Sequence, residues 1–345
     1  MLTEKDIAFL REELQTAQNP LFIHDDDADG LCSFLLLYRI HREGKEAILK
    51  SSSTLKAEFM RRVDEFNPDK IFILDIPVVD QEFIDQANRP IFWIDHHQPV
   101  DRNKVHYFNP RIKEPQAYIP TTYMAWQVSQ SKEDLWIATV GCLADHALPD
   151  FLPEFIERYP HLLPKERSIN DMVYKEPVGL LVKMIFFLLK GPTTEVRNSV
   201  KALLKITSPE EILEQKTPPG KFLYKRFEKI NQQYKPLLQE AQQKSGKEKL
   251  ILFTYTEKQM SFTAELSNEM AALHPHQVIL ICRHKSGEMK CSIRAQFPIA
   301  DKLQRALIGV HGFGGGHPHA CGAVIKEEDW DLFLSNFRRE LESKE

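Results

Sequence analysis

The sequence predicts an α/β protein of two lobes. A mostly parallel sheet with helices on both faces is followed by a helical connector and a smaller C-terminal α/β domain. The chain has 345 residues, more than one hydrophobic core usually accommodates. Its first part alternates helix-like segments with short, continuously apolar runs, a pattern typical of parallel strands that are covered on both faces. Strand-like runs return near the C-terminus, so we place the predicted domains at residues 1–150, 151–245 and 246–345.

The elements of the first part are predicted from apolar spacing. Residues three and four apart indicate helices, whereas short continuous apolar runs indicate buried strands. In a parallel sheet, ligands bind beyond the carboxyl ends of the strands, and each predicted strand here is followed by an acid or a histidine. The predicted elements are a helix around Ile7–Leu14, a buried helix over Phe34–Ile40, and strands at Leu21–Ile23, Ile71–Leu74 and Ile91–Ile94.

The later part is predicted to be helical and then mixed. Val178–Leu189 is the most apolar run, but it is too short to cross a bilayer, so we expect a buried helix there. Thr217–Gly220 interrupts the helical pattern before a long polar helix. The remaining predicted elements are strands at Leu250–Phe253, Val278–Ile281 and Lys290–Arg294, a glycine-rich turn at Gly312–Gly316 and a last helix at Glu327–Glu342.

The composition argues against several protein classes. The formal net charge is −4, whereas a protein that coats duplex DNA is usually basic. Five scattered cysteines form no C-x-x-C pair, which argues against a zinc ribbon or a disulfide framework and indicates a reducing cytoplasm. The N-terminal residues contain no apolar signal core. Any contact with nucleic acid must therefore come from a local patch or a bound metal.

The first chemical motif is the acidic segment His24–Gly30, which follows a predicted strand. Its four carboxylates repel one another strongly, so the segment is expected to need cations. Alternate residues of an extended segment point the same way, and Asp25, Asp27 and Asp29 could therefore converge on one site. A solvated acidic loop or a calcium loop is the alternative. The glutamate that closes a calcium loop is missing where it should lie.

Three further motifs add ligands for hard cations. Asp75 follows a predicted strand, and the triplet Asp95-His96-His97 follows another. Asp145 lies late in a predicted helix. Each motif alone could be structural, but together they supply six or more ligands, mostly carboxylate oxygens. That ligand set favours Mn²⁺ or Mg²⁺ over a structural zinc ion.

In this combination the sequence resembles the DHH phosphoesterase superfamily, in its RecJ-like exonuclease and oligoribonuclease branches. The name-giving triplet is Asp95-His96-His97. The resemblance covers nearly the whole chain except residues of about 150 to 245. The other matching segments are Asn109-Pro110, Pro120–Thr122, the strand Cys291–Arg294 and the glycine-rich Gly314–His317.

The resemblance implies a role for each matching residue. Asp75 would bridge two metal ions and take part in catalysis, and His97 would contact phosphate or orient the ligands. Asp25 lies two residues before Asp27 and is favoured by that spacing as the first ligand, while the role of His24 stays open. The implied metal ligands are Asp25, Asp27, Asp29, Asp75, His96 and Asp145. The implied substrate-binding residues are Ser292, Arg294, Gly314, Gly315, Gly316 and His317.

The glycines and Arg294 also have ordinary structural interpretations. A run of glycines is common in a tight turn, and a strand arginine commonly forms a surface salt bridge. In the functional interpretation, the glycine-rich turn lets backbone N–H groups approach a phosphate, which Arg294 holds with two donors.

The resemblance implies a hydrolase that cleaves phosphodiester bonds of single-stranded nucleic acid or short oligonucleotides with two Mn²⁺ ions, Mg²⁺ being possible. The substrate would lie between the two lobes. A phosphodiesterase or phosphatase of a small nucleotide is the alternative, and a pyrophosphatase or a non-catalytic replication scaffold fits less well. The helical residues 151–245 are the expected surface for a protein partner.

Overall fold

The chain forms two compact units, which are described separately. The computed structural model describes residues 1–50, 52–246, 248–256 and 260–343. The first unit comprises residues 1–189 and 193–226, and the second comprises residues 190–192 and 227–345. The helices that follow residue 150 belong to the first unit as far as Arg226. The division at 1–150, 151–245 and 246–345 stays a prediction.

The N-terminal part of the first unit alternates strands with helices, as the sequence predicts. All three predicted strands and both predicted helices are present. In chain order the elements are α1 (Glu4–Thr16), β1 (Leu21–Asp25), α2 (Ala28–His41), β2 (Lys45–Leu49), β3 (Thr54–Leu55), α3 (Met60–Phe66), β4 (Ile71–Leu74), β5 (Val78–Val79), α4 (Gln81–Ala87), β6 (Ile91–Ile94), β7 (His106–Phe108), α5 (Thr121–Ser129) and α6 (Leu135–Ala144).

The main sheet of this unit has the strand order β2-β1-β4-β6-β7, and every pair in it is parallel. β1, β4 and β6 lie at its centre and are buried on both faces. On one face, the rings of Phe22, Phe72 and Phe92 stack across the strands with centroid distances of 5.3 and 4.9 Å. On the other face, Ile73 and Trp93 belong to a second hydrophobic core. Two-sided burial explains why these strands are continuously apolar.

A helical segment completes the first unit. The apolar run around residue 180 forms a buried helix, as predicted, and the interruption at Thr217–Gly220 coincides with the start of a long helix. That long helix crosses from the first unit into the second at residue 227. The helices are α7 (Leu152–Arg158), α8 (Ile169–Tyr174), α9 (Val178–Leu188), α10 (Thr193–Leu203), α11 (Pro209–Leu213) and α12 (Pro218–Gln243). Within the described part of the chain, no helix is both long and apolar enough to cross a membrane.

The second unit is built on a mixed sheet with the order β11-β12-β10-β9-β8. β8 and β9 are parallel, and the remaining neighbours are antiparallel. The elements are β8 (Leu250–Tyr255), α13 (Thr263–Leu273), β9 (Val278–Lys285), β10 (Glu288–Arg294), α14 (Ala300–Ala306), β11 (Gly312–His317), β12 (Ala320–Lys326) and α15 (Trp330–Glu342). One face packs against α14 and α15 around Ile293, Leu303, Phe333 and Phe337.

The predicted glycine-rich turn is wrong. Gly312–His317 forms the edge strand β11, and the chain turns only at residues 318 and 319. Gly315 pairs with Gly322 of the antiparallel neighbour. The pairing with β12 outweighs the turn preference of glycine, because each residue of β11 has a backbone partner on that strand.

Candidate metal centre and phosphate-binding strands

The candidate metal centre lies at the carboxyl edge of the parallel sheet. Asp25 is the last residue of β1, while Asp75 and Asp95 directly follow β4 and β6. Because β1, β4 and β6 are adjacent and parallel, their carboxyl ends meet at the same edge. The position of the acids is therefore a direct consequence of strand order.

Asp75 occupies an unusual backbone conformation. Its φ is +60°, in the left-handed region that non-glycine residues rarely adopt. Its amide donates to the carbonyl of Ile94 at 2.9 Å, and Thr121 Oγ1 donates to Asp75 Oδ1 at 3.1 Å. Strained conformations of this kind concentrate at functional sites, where the surrounding structure holds them in place.

Asp29 lies in the first turn of α2, and its carboxylate meets the start of α5. Oδ2 accepts from the amide of Thr121 at 2.8 Å, and Oδ1 accepts from the amide of Thr122 at 2.7 Å. Thr122 Oγ1 donates back to the carbonyl of Asp29 at 3.0 Å. A carboxylate at a helix N-terminus satisfies amides that have no partner in the helix. Asp29 is thereby fixed toward the sheet edge.

His96 lies at the centre of the acidic residues. Its Nε2 is 3.4 Å from Asp75 Oδ1 and 3.9 Å from Asp29 Oδ2, and its Nδ1 is 3.7 Å from Asp145 Oδ2. The ring of Tyr118 packs edge-on against it, and the Tyr118 hydroxyl donates to the carbonyl of Asp145 at 2.7 Å. Among the described residues, two compact donor groups share this histidine: Asp75, His96 and His97 form one, and Asp29, His96 and Asp145 form the other.

Asp27 and Asp25 lie beside these groups rather than within them. Asp27 caps α2 by accepting from the amide of Gly30 at 2.9 Å, and the Asp75 carboxyl is one of the groups that influence its pKa. Asp25 accepts from the amide of Asp26 at 2.9 Å. The prediction that three acids alternate along one extended segment was wrong for Asp29, because α2 begins at residue 28. Its carboxylate reaches the site from a helical turn instead.

His24, the other residue considered as a first ligand, is fully buried. Its ring stacks on Phe34 with centroids 5.3 Å apart, and its Nε2 lies 3.5 Å from Glu46 Oε1. Nδ1 is 2.7 Å from the carbonyl of Asp25. These contacts are with α2, β2 and the backbone of β1, and none is with the donor groups around His96. This packing favours Asp25 over His24 as the first ligand, and that choice stays a prediction.

The carboxyls of this centre have pKa values that fit a cation site. Burial, followed by the charges of Asp29 and Asp27, raises the pKa of Asp75 well above its usual range. Burial and the charge of Asp29 do the same for the pKa of Asp145. Burial and the neighbouring Asp27 raise the pKa of Asp25 to about 7. Acids crowded in this way favour proton uptake unless divalent cations compensate their charge, and the oxygen-rich donor set suits Mn²⁺ or Mg²⁺.

Asp95 supports the site without belonging to either donor group. It is fully buried, and its carboxylate accepts from His97, from the Tyr107 hydroxyl and from Asn109 Nδ2. Burial lowers the pKa of His97, but the hydrogen bond and the charge of Asp95 raise it more, and the net shift is upward. The positions of Tyr107 and Tyr118 around the site were not predicted, since neither forms a recognisable ligand pattern in sequence. Thr121 lies in the matching segment Pro120–Thr122, but its hydrogen bond to Asp75 was not predicted.

In the second unit, the predicted substrate-binding residues lie on neighbouring strands. Arg294 at the end of β10 pairs with Ala320 of β12, and Ala320 pairs with His317 of β11. Ser292 pairs with Gly322, which pairs with Gly315, so two rows of residues cross the sheet. Residues in register across neighbouring strands point to the same face.

This face combines hydrogen-bond donors with glycines. Arg294 Nε donates to Asn268 Oδ1 of α13 at 2.6 Å, an orienting contact that the sequence did not indicate. A Cβ built on Gly315 meets nothing within 4 Å, and Gly322 has only a van der Waals contact. Phe313, two residues earlier on the edge strand, is 72% exposed. The result is a flat backbone strip between a fixed guanidinium and an exposed aromatic ring.

Two family models match the chain, one over the region of the candidate metal centre and one over the second unit. The DHH family, N-terminal domain, matches residues 21–153, and the DHHA1 domain matches residues 246–343. The chain belongs to the DHH phosphoesterase superfamily. The phosphoesterase activity for which this superfamily is named is the starting point for the function proposed below. No curated protein sequence gave a significant match.

Solved structures agree with the DHH fold. RecJ of Thermus thermophilus in complex with Mn²⁺ superposes with a TM-score of 0.69 at 15% identity, over 98% of this chain and 54% of that chain. An exonuclease RecJ bound to manganese gives a TM-score of 0.64 at 15% identity, over 98% and 94%. The DHH domain of a protein assigned to a family of ribosomal proteins gives 0.64 at 13% identity, over 98% and 89%. The chain thus has a RecJ-like fold but spans only about half the length of the Thermus RecJ.

Proposed function

We propose that this chain is a metal-dependent phosphodiester hydrolase that acts on single-stranded nucleic acid or short oligonucleotides, as an exonuclease or oligonucleotidase. The observation that carries the proposal is the pair of donor groups that share His96, with Asp75 and His97 in one and Asp29 and Asp145 in the other. Two adjacent sites of this kind suit the hydrolysis of a phosphate ester. Three solved RecJ structures, two with manganese and one with Mg²⁺, support metal-dependent hydrolysis of a phosphodiester.

Two Mn²⁺ ions, or Mg²⁺ in their place, would be held by carboxylates and one imidazole. When bound, such ions lower the pKa of a water molecule and neutralise charge on a phosphate oxygen. Asp75 is the best placed to bridge, because its Oδ1 lies 3.4 Å from His96 Nε2 and the charges of Asp29 and Asp27 act on it more strongly than those of any other acid. The proposed ligands are Asp25, Asp27, Asp29, Asp75, His96 and Asp145.

His97 is proposed to act on the substrate rather than on a metal. Its Nδ1 is held by the buried Asp95, so its Nε2 is the nitrogen that is left to contact a phosphate. The raised pKa of His97 favours the imidazolium form, which carries positive charge toward an anionic oxygen. Asp75 and His97 are therefore the two residues whose replacement should affect catalysis most directly.

The second unit is proposed to bind the substrate phosphates and a base. Arg294 carries a planar guanidinium, which is oriented by its hydrogen bonds to Asn268 and to the carbonyl of Ile293, and Ser292 adds a hydroxyl two residues earlier on the same strand. Gly315 leaves the strand backbone uncovered, and the exposed ring of Phe313 could stack on a base. Gly314, Gly316 and His317 complete the proposed substrate-binding residues.

This surface suits a single strand better than a duplex. Stacking on an aromatic ring requires an unpaired base, and the formal net charge of −4 leaves little long-range attraction for a duplex backbone. Five cysteines, all buried and free, fit a reducing compartment, and we place the protein in the cytoplasm on that basis.

The test is hydrolysis of end-labelled substrates by the full chain with Mn²⁺. Single-stranded RNA and DNA should yield a ladder, intact duplex should be cleaved far more slowly, and chelator should stop the reaction. Asp75→Asn keeps the shape of the side chain and should remove turnover. A ladder that persists in chelator, or in Asp75→Asn, would contradict the proposal. Cleavage of dinucleotides alone, with no action on longer strands, would replace it with the small-nucleotide alternative.

A further inference from the structure

A cavity of about 780 Å³ lies in the first unit, where the C-terminal ends of α2 and α5 approach α10. Asp29 lies in the first turn of α2, whereas Tyr38 and Arg39 near the end of the same helix line the cavity. A helix rises 1.5 Å per residue, so this distance along the axis is roughly 15 Å. The cavity is therefore separate from the candidate metal centre.

The cavity walls carry an excess of positive charge. Five cationic side chains line it against two acidic ones, although the whole chain has a net charge of −4. Low-dielectric walls of one charge sign raise the local concentration of an oppositely charged ligand. The cationic residues are Arg11, Arg39, Arg42, Lys201 and Lys205, and the acidic residues are Glu133 and Asp134.

Two of these arginines build the wall. Arg39 pairs with Asp134 and donates through Nη2 to the carbonyl of Leu203 at 3.1 Å. Arg11 donates through Nε to the carbonyl of Val128 at 3.0 Å. Both contacts go to carbonyls near helix ends that have no intrahelical partner, and the carbonyl of Leu203 also accepts from the amide of Ile206. The pairing with Arg39 also neutralises Asp134, one of the two acids.

The remaining three cationic side chains are exposed at the surface of the cavity. Arg42, Lys201 and Lys205 are exposed, and none forms an ion pair with any residue in the part of the chain that the structure describes. Single exposed cations are ordinary, but these three converge on one concave surface. Ile40 and Leu204 add an apolar section to the same wall. An anionic group joined to a less polar body matches that distribution.

We propose that this cavity is a second binding site, which takes the phosphate group of a nucleotide. Its volume lies within the range of about 300 to 1,000 Å³ that is typical of small-molecule sites. The phosphate would contact Arg42, Lys201 and Lys205, and the sugar or base would lie against Tyr38, Ile40 and Leu204. The nucleotide could be free or part of a nucleic-acid strand. The inference rests on charge and shape, and it does not depend on the proposed reaction.

The experiment compares two charge-matched triple variants of the full chain. Arg42→Gln, Lys201→Gln and Lys205→Gln remove the three cations of the cavity. Arg61→Gln, Lys221→Gln and Lys225→Gln remove three exposed cations that do not line it. Calorimetric titration with AMP, with inorganic phosphate and with a 5′-phosphorylated hexanucleotide is carried out in chelator, so that no turnover occurs.

The cavity variant should bind AMP at least about tenfold more weakly than wild type, because charge-assisted contacts are lost. The control variant should stay within about twofold. A loss confined to the hexanucleotide would still support the phosphate site and would identify the strand as its source. Equal affinities of the two variants for all three probes would overturn the proposal. The single changes Lys201→Gln and Lys205→Gln, which alter only exposed side chains, should give intermediate losses and guard against a folding defect in the triple variant.

Discussion

Asp95 Oδ1 lies 2.7 Å from His97 Nδ1, and this contact joins the first residue of the Asp95-His96-His97 triplet to the third. The other oxygen of Asp95 accepts from Tyr107, Asn109 and the amide of His97. A carboxylate held on every side fixes the tautomer and the orientation of the imidazole that it contacts. We therefore expect Asp95 to act through His97, whereas His96 lies among the proposed metal ligands.

Asp95→Asn is expected to lower kcat by about 10- to 100-fold while both metals stay bound, because orienting partners of this kind contribute about that much. The Asp95 charge raises the pKa of His97. If the imidazolium is the active form, activity falls as pH rises through that pKa, and in Asp95→Asn the fall should move to lower pH. Metal content and pH–rate profiles check this. Tyr107→Phe, which removes one contact to the other oxygen, is the matched control and should leave the profile unshifted.

An unshifted pH profile in Asp95→Asn, with a normal rate, would show that His97 does not need Asp95. A loss of bound metal in the same variant would instead assign Asp95 to the metal centre itself.

The metal-free protein should lose stability as pH rises from about 4 to about 7. The pKa of Asp25 is about 7 in the folded chain, against 3.8 for an ordinary Asp. Between these values the unfolded chain has released a proton that the folded chain retains, so stability falls with increasing pH. The raised pKa of Asp75 acts in the same direction.

Thermal melting in chelator across that pH range measures the effect. Mn²⁺ should remove the decline, because a bound cation compensates the ionised carboxylates. Asp25→Asn should make the metal-free decline shallower, while Asp85→Asn, at an exposed position outside the site, should not. A metal-free protein whose melting temperature rises over pH 4–7 in parallel with that of the Mn²⁺-loaded protein would contradict the charge-crowding argument.

The sequence predicts which acids lie at the candidate site, but not the side-chain contacts that hold them there. Continuous apolar runs identify β1, β4 and β6, and parallel order then places Asp25, Asp75 and the triplet at one edge. The sequence could not show that Asp29 meets the amides of Thr121 and Thr122, because that contact joins residues more than 90 positions apart. Side-chain contacts at such separation depend on tertiary packing and have no local signature.

The backbone conformation of the glycine-rich segment could not be predicted from the sequence for a similar reason. Glycine favours turns as an isolated preference, but β11 is decided by its pairing with β12, and that partner follows it in sequence. The local composition of Gly312–Gly316 could not distinguish a turn from an edge strand.

Gly315 and Gly316 should respond differently to substitution. A Cβ on Gly315 meets nothing within 4 Å, and the φ of Gly315 is not in the left-handed region, so a side chain is tolerated there. Gly316 has a φ of +142°, and its Cβ would lie 2.5 Å from the carbonyl oxygen of Ala320. Gly316→Ala should therefore destabilise the protein by about 1–3 kcal/mol, whereas Gly315→Val should melt close to wild type.

If substrate phosphate approaches the uncovered backbone, Gly315→Val should lose activity despite its normal stability, because its branched side chain covers the strand. Thermal melting and kinetics of the two variants separate fold from function. Normal activity in Gly315→Val would remove Gly315 from the substrate surface.

Arg294→Ala separates substrate binding from metal chemistry. Arg294 lies in the second unit, whereas every proposed metal ligand lies in the first, so metal content should be unchanged. Loss of a charge-assisted phosphate contact should lower kcat/KM by an amount on the order of 2 to 4 kcal/mol. Arg294→Lys should recover only part of it, because a point charge cannot reproduce the planar donors of the guanidinium.

Asn268→Ala tests whether the orientation of Arg294 matters, since Asn268 Oδ1 accepts from Arg294 Nε at 2.6 Å. If Asn268 only positions Arg294, Asn268→Ala should raise KM by less than Arg294→Ala does. In a protein that already carries Arg294→Ala, the change Asn268→Ala should have no further effect. Additive losses in the double variant would mean that the two residues act independently. Hydrolysis of short oligonucleotides by Arg294→Ala at the wild-type rate would show that this guanidinium does not hold the substrate, and the second unit would then need another role.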